Sequence, residues 1–211
     1  MKSLIDQPKK ILEIIDLCLK PKQNEKKKFG EVFTPMKLVY EMLDALPKGV
    51  WKKKNYKWLD PANGMGNFPI AIYLRLMKGL EEKIPNEKER KKHILENMLY
   101  MIELNKKNVF ICKNIFDIND KYKLHLVCHD ALTFDCKKEW DIEKFDIVIG
   151  NPPYNKELTR VGALPLYNKF IENFIDKCRY LMFIVPSRWF SGGTFDINFY
   201  IKLIKRIVIF T

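Results

Sequence analysis

The run Phe145-Asp146-Ile147-Val148-Ile149-Gly150 leads without a break into Asn151-Pro152-Pro153-Tyr154, and few other features of the chain restrict its fold so tightly. A near-continuous apolar run bounded by turn residues predicts a strand buried on both faces, as in a parallel sheet covered by helices. Two successive prolines supply no backbone donors and hold φ at about −65°, so the strand must stop there in a stiff turn. In an open α/β sheet such a turn lies at the carboxyl edge, where ligands bind. An asparagine amide oxygen and a proline carbonyl placed there can both accept hydrogen bonds from one planar –NH2 group.

The rest of the chain alternates in the manner this strand requires. Residues 1–28 read as an amphipathic helix (11–19) followed by a basic link, and residues 29–211 as the main domain. A helix is expected after Thr34-Pro35, with the threonine capping and the proline in the first turn. Strands are expected to end near Asp60 and to cover 98–104, 124–128, 145–149, 180–185 and 207–210, with helices over 67–77, 105–115, 165–178 and 199–204. Alternation of this kind predicts a mainly parallel sheet with helices on both faces. The highly charged stretch 81–92 reads as a solvated helical excursion.

Two further strand ends carry polar chemistry. Leu59-Asp60-Pro61-Ala62-Asn63-Gly64-Met65-Gly66-Asn67-Phe68 reads as strand, glycine loop and helix start. Gly64 and Gly66 allow a close backbone approach, and the helix amino terminus and Asp60 can contact a nucleoside-bearing ligand. No Gly-Lys-Ser/Thr follows, so it is not a phosphate loop, and the third glycine of the dinucleotide fingerprint is missing. The anionic Asp60 suits an amino-bearing ligand better than a pyrophosphate. Met98-Leu99-Tyr100-Met101-Ile102-Glu103 ends a second strand in an acid, where a carboxylate can accept both hydroxyls of a ribose.

Charge points to a polyanionic partner, since 38 Lys and Arg against 26 Asp and Glu give a formal net charge of +12,. Arginine occurs only six times, so a lysine-rich base composition of the gene is an alternative source of that charge. The five cysteines form no C-x-x-C pair, and there are three histidines; neither a metal site nor a disulfide framework is expected. No apolar run approaches the roughly 18–20 residues of a membrane span, and no signal-peptide pattern opens the chain. A cytoplasmic protein is expected.

Taken together, these motifs resemble the N6-adenine DNA methyltransferases of restriction–modification systems. Gly30-Glu31-Val32-Phe33-Thr34-Pro35 is similar to the family's amino-terminal cofactor motif, and Asp60 to Phe68 to its Asp-Pro-x-x-Gly-x-Gly-x-Phe loop. Glu103 matches the ribose-binding acid, His129-Asp130-Ala131-Leu132 the motif that contacts the cofactor adenine, and Asn151-Pro152-Pro153-Tyr154 the catalytic motif. Ile184-Val185-Pro186-Ser187-Arg188-Trp189-Phe190 resembles a later strand-and-turn motif. The order of motifs is that of the γ class. Asn63 and Met65 depart from the small residues usual in the loop, at positions expected to point outward.

The resemblance implies a Rossmann-like fold for S-adenosylmethionine-dependent methyl transfer, with DNA as substrate. The cofactor would lie against Phe33, Thr34, Pro35, Asp60, Ala62, Gly64, Gly66, Asn67, Phe68, Glu103, Asp130 and Ala131. Asn151, Pro152, Pro153 and Tyr154 would act on an adenine extruded from the duplex. Lys156 and Arg160 are candidate DNA contacts beside that base, with 26–28 and 52–54 as further basic candidates. No segment matches the family's final antiparallel strand or target-recognition domain. The strand at 180–185 is therefore expected to have an uncovered edge, and the one at 207–210 to lack its usual neighbour. Two other readings stay open: a module that needs a separate target-recognition subunit or domain before it can methylate, and a methylase of protein glutamine, which presents the same planar –NH2.

Overall fold

A computed structural model describes residues 3–7, 10, 11, 13, 34–154, 166–185 and 207–210. Its strands are β1 (Trp58–Asp60), β2 (Leu99–Glu103), β3 (His125–Cys128), β4 (Phe145–Gly150), β5 (Cys178–Ile184) and β6 (Ile207–Phe210). They form one sheet in the order β3-β2-β1-β4-β5-β6, and every pairing is parallel. The helices are α1 (Met36–Asp44), α2 (Asn67–Gly79), α3 (Glu87–Asn97), α4 (Lys106–Asp117), α5 (Cys136–Trp140) and α6 (Leu166–Phe174).

Successive strand residues point to opposite faces, and each face has its own core. Trp58, Leu99, Met101, Ile147, Ile149 and Met182 pack with apolar residues of α1, α2, α3 and α4. Leu59, Tyr100, Ile102, Val148, Leu181 and Phe183 pack with Tyr167, Phe170, Ile171 and Phe174 of α6. Ile5 and Ile11 join the first core. Both faces of the central strands are thus dry, which is why those strands read as unbroken apolar runs.

Side-chain caps start three helices. Asn86 accepts from the Lys88 and Glu89 N–H groups at α3, Asn105 from Lys107 at α4, and Asp135 from Lys137 and Lys138 at α5,. Thr34 does not cap α1; the cap position is Pro35, with no side-chain bond. The threonine side chain is engaged elsewhere, as described below.

Two expectations are corrected. The charged stretch 81–92 is helical from Glu87 and mostly exposed, as expected, but it is not solvated throughout, since α3 buries Arg90 and Lys91 along with Ile94 and Leu95 beyond it. Arg90 Nη1 donates to the carbonyls of Ile84 and Pro85 at 2.6 and 3.0 Å. Lys91 pairs with Asp6 and lies 5.2 Å from the Tyr122 ring centroid. Long aliphatic stems lie along the core while their charged heads find acceptors. The edge of β5 is also not uncovered: β6 pairs with it in parallel from Leu181↔Ile207 to Ile184↔Phe210. Two apolar strands can pair directly in this way, with no seventh strand between them among the described residues. The helices expected at 11–19 and 199–204 fall wholly or largely outside the described residues.

The edge strand β3 carries a pH-sensitive contact. His125 stacks on Tyr100 with ring centroids 4.3 Å apart, and its Nε2 lies 2.8 Å from the Glu96 carbonyl. Burial lowers its pKa, against the opposing effect of that carbonyl. A folded-state pKa below the ordinary value of about 6.5 means that protons bind preferentially to the unfolded chain. Stability is then full above that value and lost as pH falls through the lowered one. Urea denaturation of wild type should show this loss below about pH 6.5, and His125→Phe should lack this component of the slope. Identical pH profiles would remove His125 from the account.

Candidate active site

β1 and β4 lie side by side, but the chain leaves them in opposite directions, towards β2 on one side and β5 on the other. A crevice forms at the carboxyl ends of strands where the order reverses in this way. Two of the sequence motifs flank it: the loop after Asp60 and the turn after Gly150.

Asp60 is 2% exposed. Its Oδ1 accepts the Ala62 N–H at 3.0 Å, while Oδ2 is buried with no hydrogen-bond partner among the described residues. Burial pushes this carboxyl well above the usual carboxylate range; the Ala62 N–H opposes the shift, and the charge of Glu103 adds to it. A Cβ at Gly150 would lie 2.6 Å from Asp60 Oδ1. Only glycine therefore lets the Asp60 carboxyl lie against the end of β4. A glycine ending an apolar strand is the sequence signal for such a close approach, one that the motif reading alone does not use.

The loop itself is strapped to β2. Gly64 and Gly66 have φ of +54° and +97°, conformations that cost a residue with a Cβ roughly 1–2 kcal/mol. The Glu103 carboxylate accepts the Gly64 N–H on Oε2 at 2.6 Å and the Asn105 N–H on Oε1 at 2.7 Å. The Asn63 N–H donates to the Ile102 carbonyl at 3.1 Å. Contrary to the expectation of an outward side chain, Asn63 is buried. Its Nδ2 contacts the Gly64 carbonyl at 3.1 Å and Cys112 Sγ at 3.3 Å. Burial pushes the Cys112 thiol up to about 12, so it is a packing partner rather than a nucleophile.

Across the crevice, Asn151 Nδ2 donates to Thr34 Oγ1 at 3.1 Å, a pair separated by 117 positions. The Thr34 carbonyl accepts from Asn67 Nδ2 at 2.8 Å, and Asn67 Oδ1 is buried without a partner among the described residues. Thr34 thus ties the start of α2 to the asparagine after β4. No local sequence signal announces this link. Pro152 is buried, and Pro153 and Tyr154 are half-buried. The Tyr154 ring stands edge-on to Tyr167 with centroids 6.5 Å apart, and the Tyr154 carbonyl accepts the Leu166 N–H at 3.0 Å. Burial raises the Tyr154 phenol.

The fold therefore brings Thr34, Asp60, Gly64, Gly66, Asn67, Glu103 and Asn151 into one connected arrangement. Asp130 follows β3 on the same carboxyl edge. It is exposed, with Oδ1 accepting the Leu132 N–H at 2.9 Å, and the His129 N–H joins its segment to the Glu103 carbonyl at 3.0 Å. Ala131 and Phe68 are core residues, Ala62 packs partly against the second core, and Pro35 is exposed. Lys52, Lys53 and Lys54 precede β1 and so lie at the amino edge of the sheet, opposite Asn151. Phe33, Lys156, Arg160, the basic stretch 26–28 and the segment 186–190 lie outside the described residues.

Comparison with known proteins shows the family and the fold. A family model described as N-6 DNA Methylase matches residues 14–176. An uncharacterized adenine-specific methylase of Mycoplasma pneumoniae is 28% identical across 83% of the chain, which spans 60% of that relative's length. The DrdV–DNA complex superposes with a TM-score of 0.65 at 16% identity, covering 97% of this chain and 25% of the DrdV chain. A Listeria monocytogenes protein provisionally described as a class I S-adenosylmethionine-dependent methyltransferase gives 0.52 at 17% identity, over 90% of this chain and 55% of its own. The fold is the Rossmann-like fold of S-adenosylmethionine-dependent methyltransferases.

Proposed function

Because the chain belongs to the N-6 DNA methylase family, whose model matches most of its length, we propose that it transfers a methyl group from S-adenosylmethionine to the exocyclic N6 amine of adenine in DNA. The observation that carries this reading is the placement of Asn151. It follows β4 at the point where strand order reverses, with its amide nitrogen engaged by Thr34.

The residues of the crevice suit this cofactor. Its amino group and ribose hydroxyls need acceptors, and Asp60 Oδ2 and Asn67 Oδ1 are buried acceptors with no partner among the described residues. Glu103 ends β2 at the same edge and accepts a backbone N–H on each oxygen. Asp60, Asn67 and Glu103 would hold the cofactor, with Gly64 and Gly66 permitting its close approach. Phe33, Pro35, Asp130 and Ala131 are assigned to the same task from their motifs. When bound, the cofactor supplies a methyl group on a positively charged sulfur, electrophilic enough for direct displacement.

The chain's own residues prepare the nucleophile. The adenine amine is weak because its lone pair is delocalised into the ring. The Asn151 amide oxygen and the Pro152 carbonyl would accept hydrogen bonds from its two N–H groups and draw the nitrogen towards tetrahedral geometry. The N–C bond would form as the methyl–sulfur bond breaks, and the amine would then release one proton to solvent. Positioning and preorganised dipoles then supply the rate enhancement. Tyr154 would stack on the extruded base, and Pro153 stiffens the turn.

The DrdV neighbour was solved with DNA, and the net charge of +12 suits that partner. Labelled S-adenosylmethionine offered with duplex DNA should give label recovered as N6-methyladenine. Label confined to glutamine of a translation release factor in a parallel assay would overturn the substrate assignment. Lys156 and Arg160 are proposed as phosphate contacts. Neutralising both should weaken binding about equally across unrelated duplexes and flatten its salt dependence by up to two counterions. An unchanged slope in filter binding would refute that role.

A further inference from the structure

We infer that Asn63 is a positioning residue for the glycine loop, its buried amide fixing the loop in the shape that admits S-adenosylmethionine. The inference rests on the reading that this loop receives the cofactor. Asn63 is 4% exposed, and its backbone and side chain are both engaged. Its N–H donates to the Ile102 carbonyl of β2 at 3.1 Å, and its carbonyl accepts the Gly66 N–H at 2.9 Å. Its Nδ2 donates to the Gly64 carbonyl at 3.1 Å and to Cys112 Sγ at 3.3 Å. One residue therefore fastens both glycines of the loop to β2 and to α4.

The amide can face only one way. A carbonyl oxygen accepts and never donates, so the Gly64 carbonyl requires the nitrogen end. The second proton of that –NH2 then falls to sulfur. Cys112 is fully buried, and its thiol donates to Met101 Sδ on β2 at 3.9 Å. A Cβ at Gly66 would stand 3.1 Å from the same sulfur, so the thiol lies against both ends of the turn 63–66. Stability alone does not explain the arrangement. Asn63 Oδ1 is buried with no partner among the described residues, a cost that an apolar side chain of the same size would not carry. Such a cost beside a ligand crevice points to a task in the loop rather than in the core.

Substitution separates the two. Asn63→Leu keeps the volume and removes the amide. Calorimetry should show its affinity for S-adenosylmethionine reduced about five- to thirtyfold, the worth of one to two hydrogen bonds. At saturating cofactor, kcat on duplex DNA should stay within about twofold of wild type, because the Asn151 turn is untouched. The urea midpoint should stay close to wild type, which a residue needed only for folding would not allow. Cys112→Ala should weaken binding in the same sense, but less so in the Asn63→Leu background, since the two share one contact. Cys112→Ser, which restores an acceptor, should recover part of that loss. In the protein without cofactor, the Gly66 N–H, followed by nuclear magnetic resonance, should exchange faster in Asn63→Leu and Cys112→Ala than in wild type.

Wild-type affinity in Asn63→Leu would overturn the proposal, as would Gly66 exchange that does not respond to either substitution. A fall in kcat with affinity intact would overturn it too, by moving Asn63 to the catalytic side. If Asn63→Leu does not fold, unchanged affinity and exchange in Cys112→Ala refute the proposal in its place. Wild-type protein that binds no S-adenosylmethionine would instead sink the cofactor reading on which the proposal depends.

Discussion

Asn151→Ala is expected to reduce methyl transfer roughly 10²–10³-fold, by analogy with the loss of one preorganised hydrogen-bond donor from an oxyanion site. Its affinity for S-adenosylmethionine should stay close to wild type. The asparagine follows β4 and touches Thr34; it is not part of the Asp60–Glu103 side of the crevice. Nor does it contribute large apolar burial, so the variant should remain folded. Single-turnover methylation measures the first quantity and calorimetry the second. Activity within a few-fold of wild type would remove Asn151 from the chemistry, and a parallel loss of cofactor binding would move it to the other side of the crevice.

Glu103→Ala should have effects of comparable size on different observables. Its two oxygens hold the Gly64 and Asn105 N–H groups at 2.6 and 2.7 Å. Hydrogen bonds to a charged group contribute about 1.5–3 kcal/mol each, with incomplete additivity for two on one residue. A loss of about 2–3 kcal/mol in urea denaturation is therefore expected. The glycine loop would lose its tie to β2, and S-adenosylmethionine affinity should fall at least a hundredfold. Glu103→Gln offers one acceptor oxygen for two donors and should fall between the two. Unchanged cofactor affinity in the alanine variant would remove the ribose assignment, whatever the loss of stability.

The parts of this structure legible in the sequence are those written in short-range pattern. The strands of the sheet were placed to within about two residues, because a strand buried on both faces leaves an unbroken apolar run. The turns after Asp60, Glu103 and Gly150 were placed because proline, glycine and an acid punctuate those runs. What escaped depends on contacts between distant segments. The buried face of α3 includes Arg90 and Lys91, residues that composition alone assigns to solvent; their partners are the Ile84 and Pro85 carbonyls and Asp6. Asn63 turned inward because Cys112 meets it from α4. The local tendency of Thr34 is to cap a helix, while its actual partner is 117 positions away.

The central pairing of β1 with β4 has a kinetic meaning. Lys57 and Asp146, hydrogen-bonded at 2.9 Å beside that pairing, stand 89 positions apart. Closing so long a segment costs chain entropy before its contacts return anything, and parallel sheets dominated by such pairs fold slowly. The Gly64–Glu103 tie closes a shorter loop, spanning 39 positions. The two banks of the crevice should therefore mature on different schedules, with the bank at Asp60 and Glu103 ahead of the one at Asn151. A ligand that grips both would then select only chains in which the slower closure is complete, and would lengthen the lifetime of that state once reached.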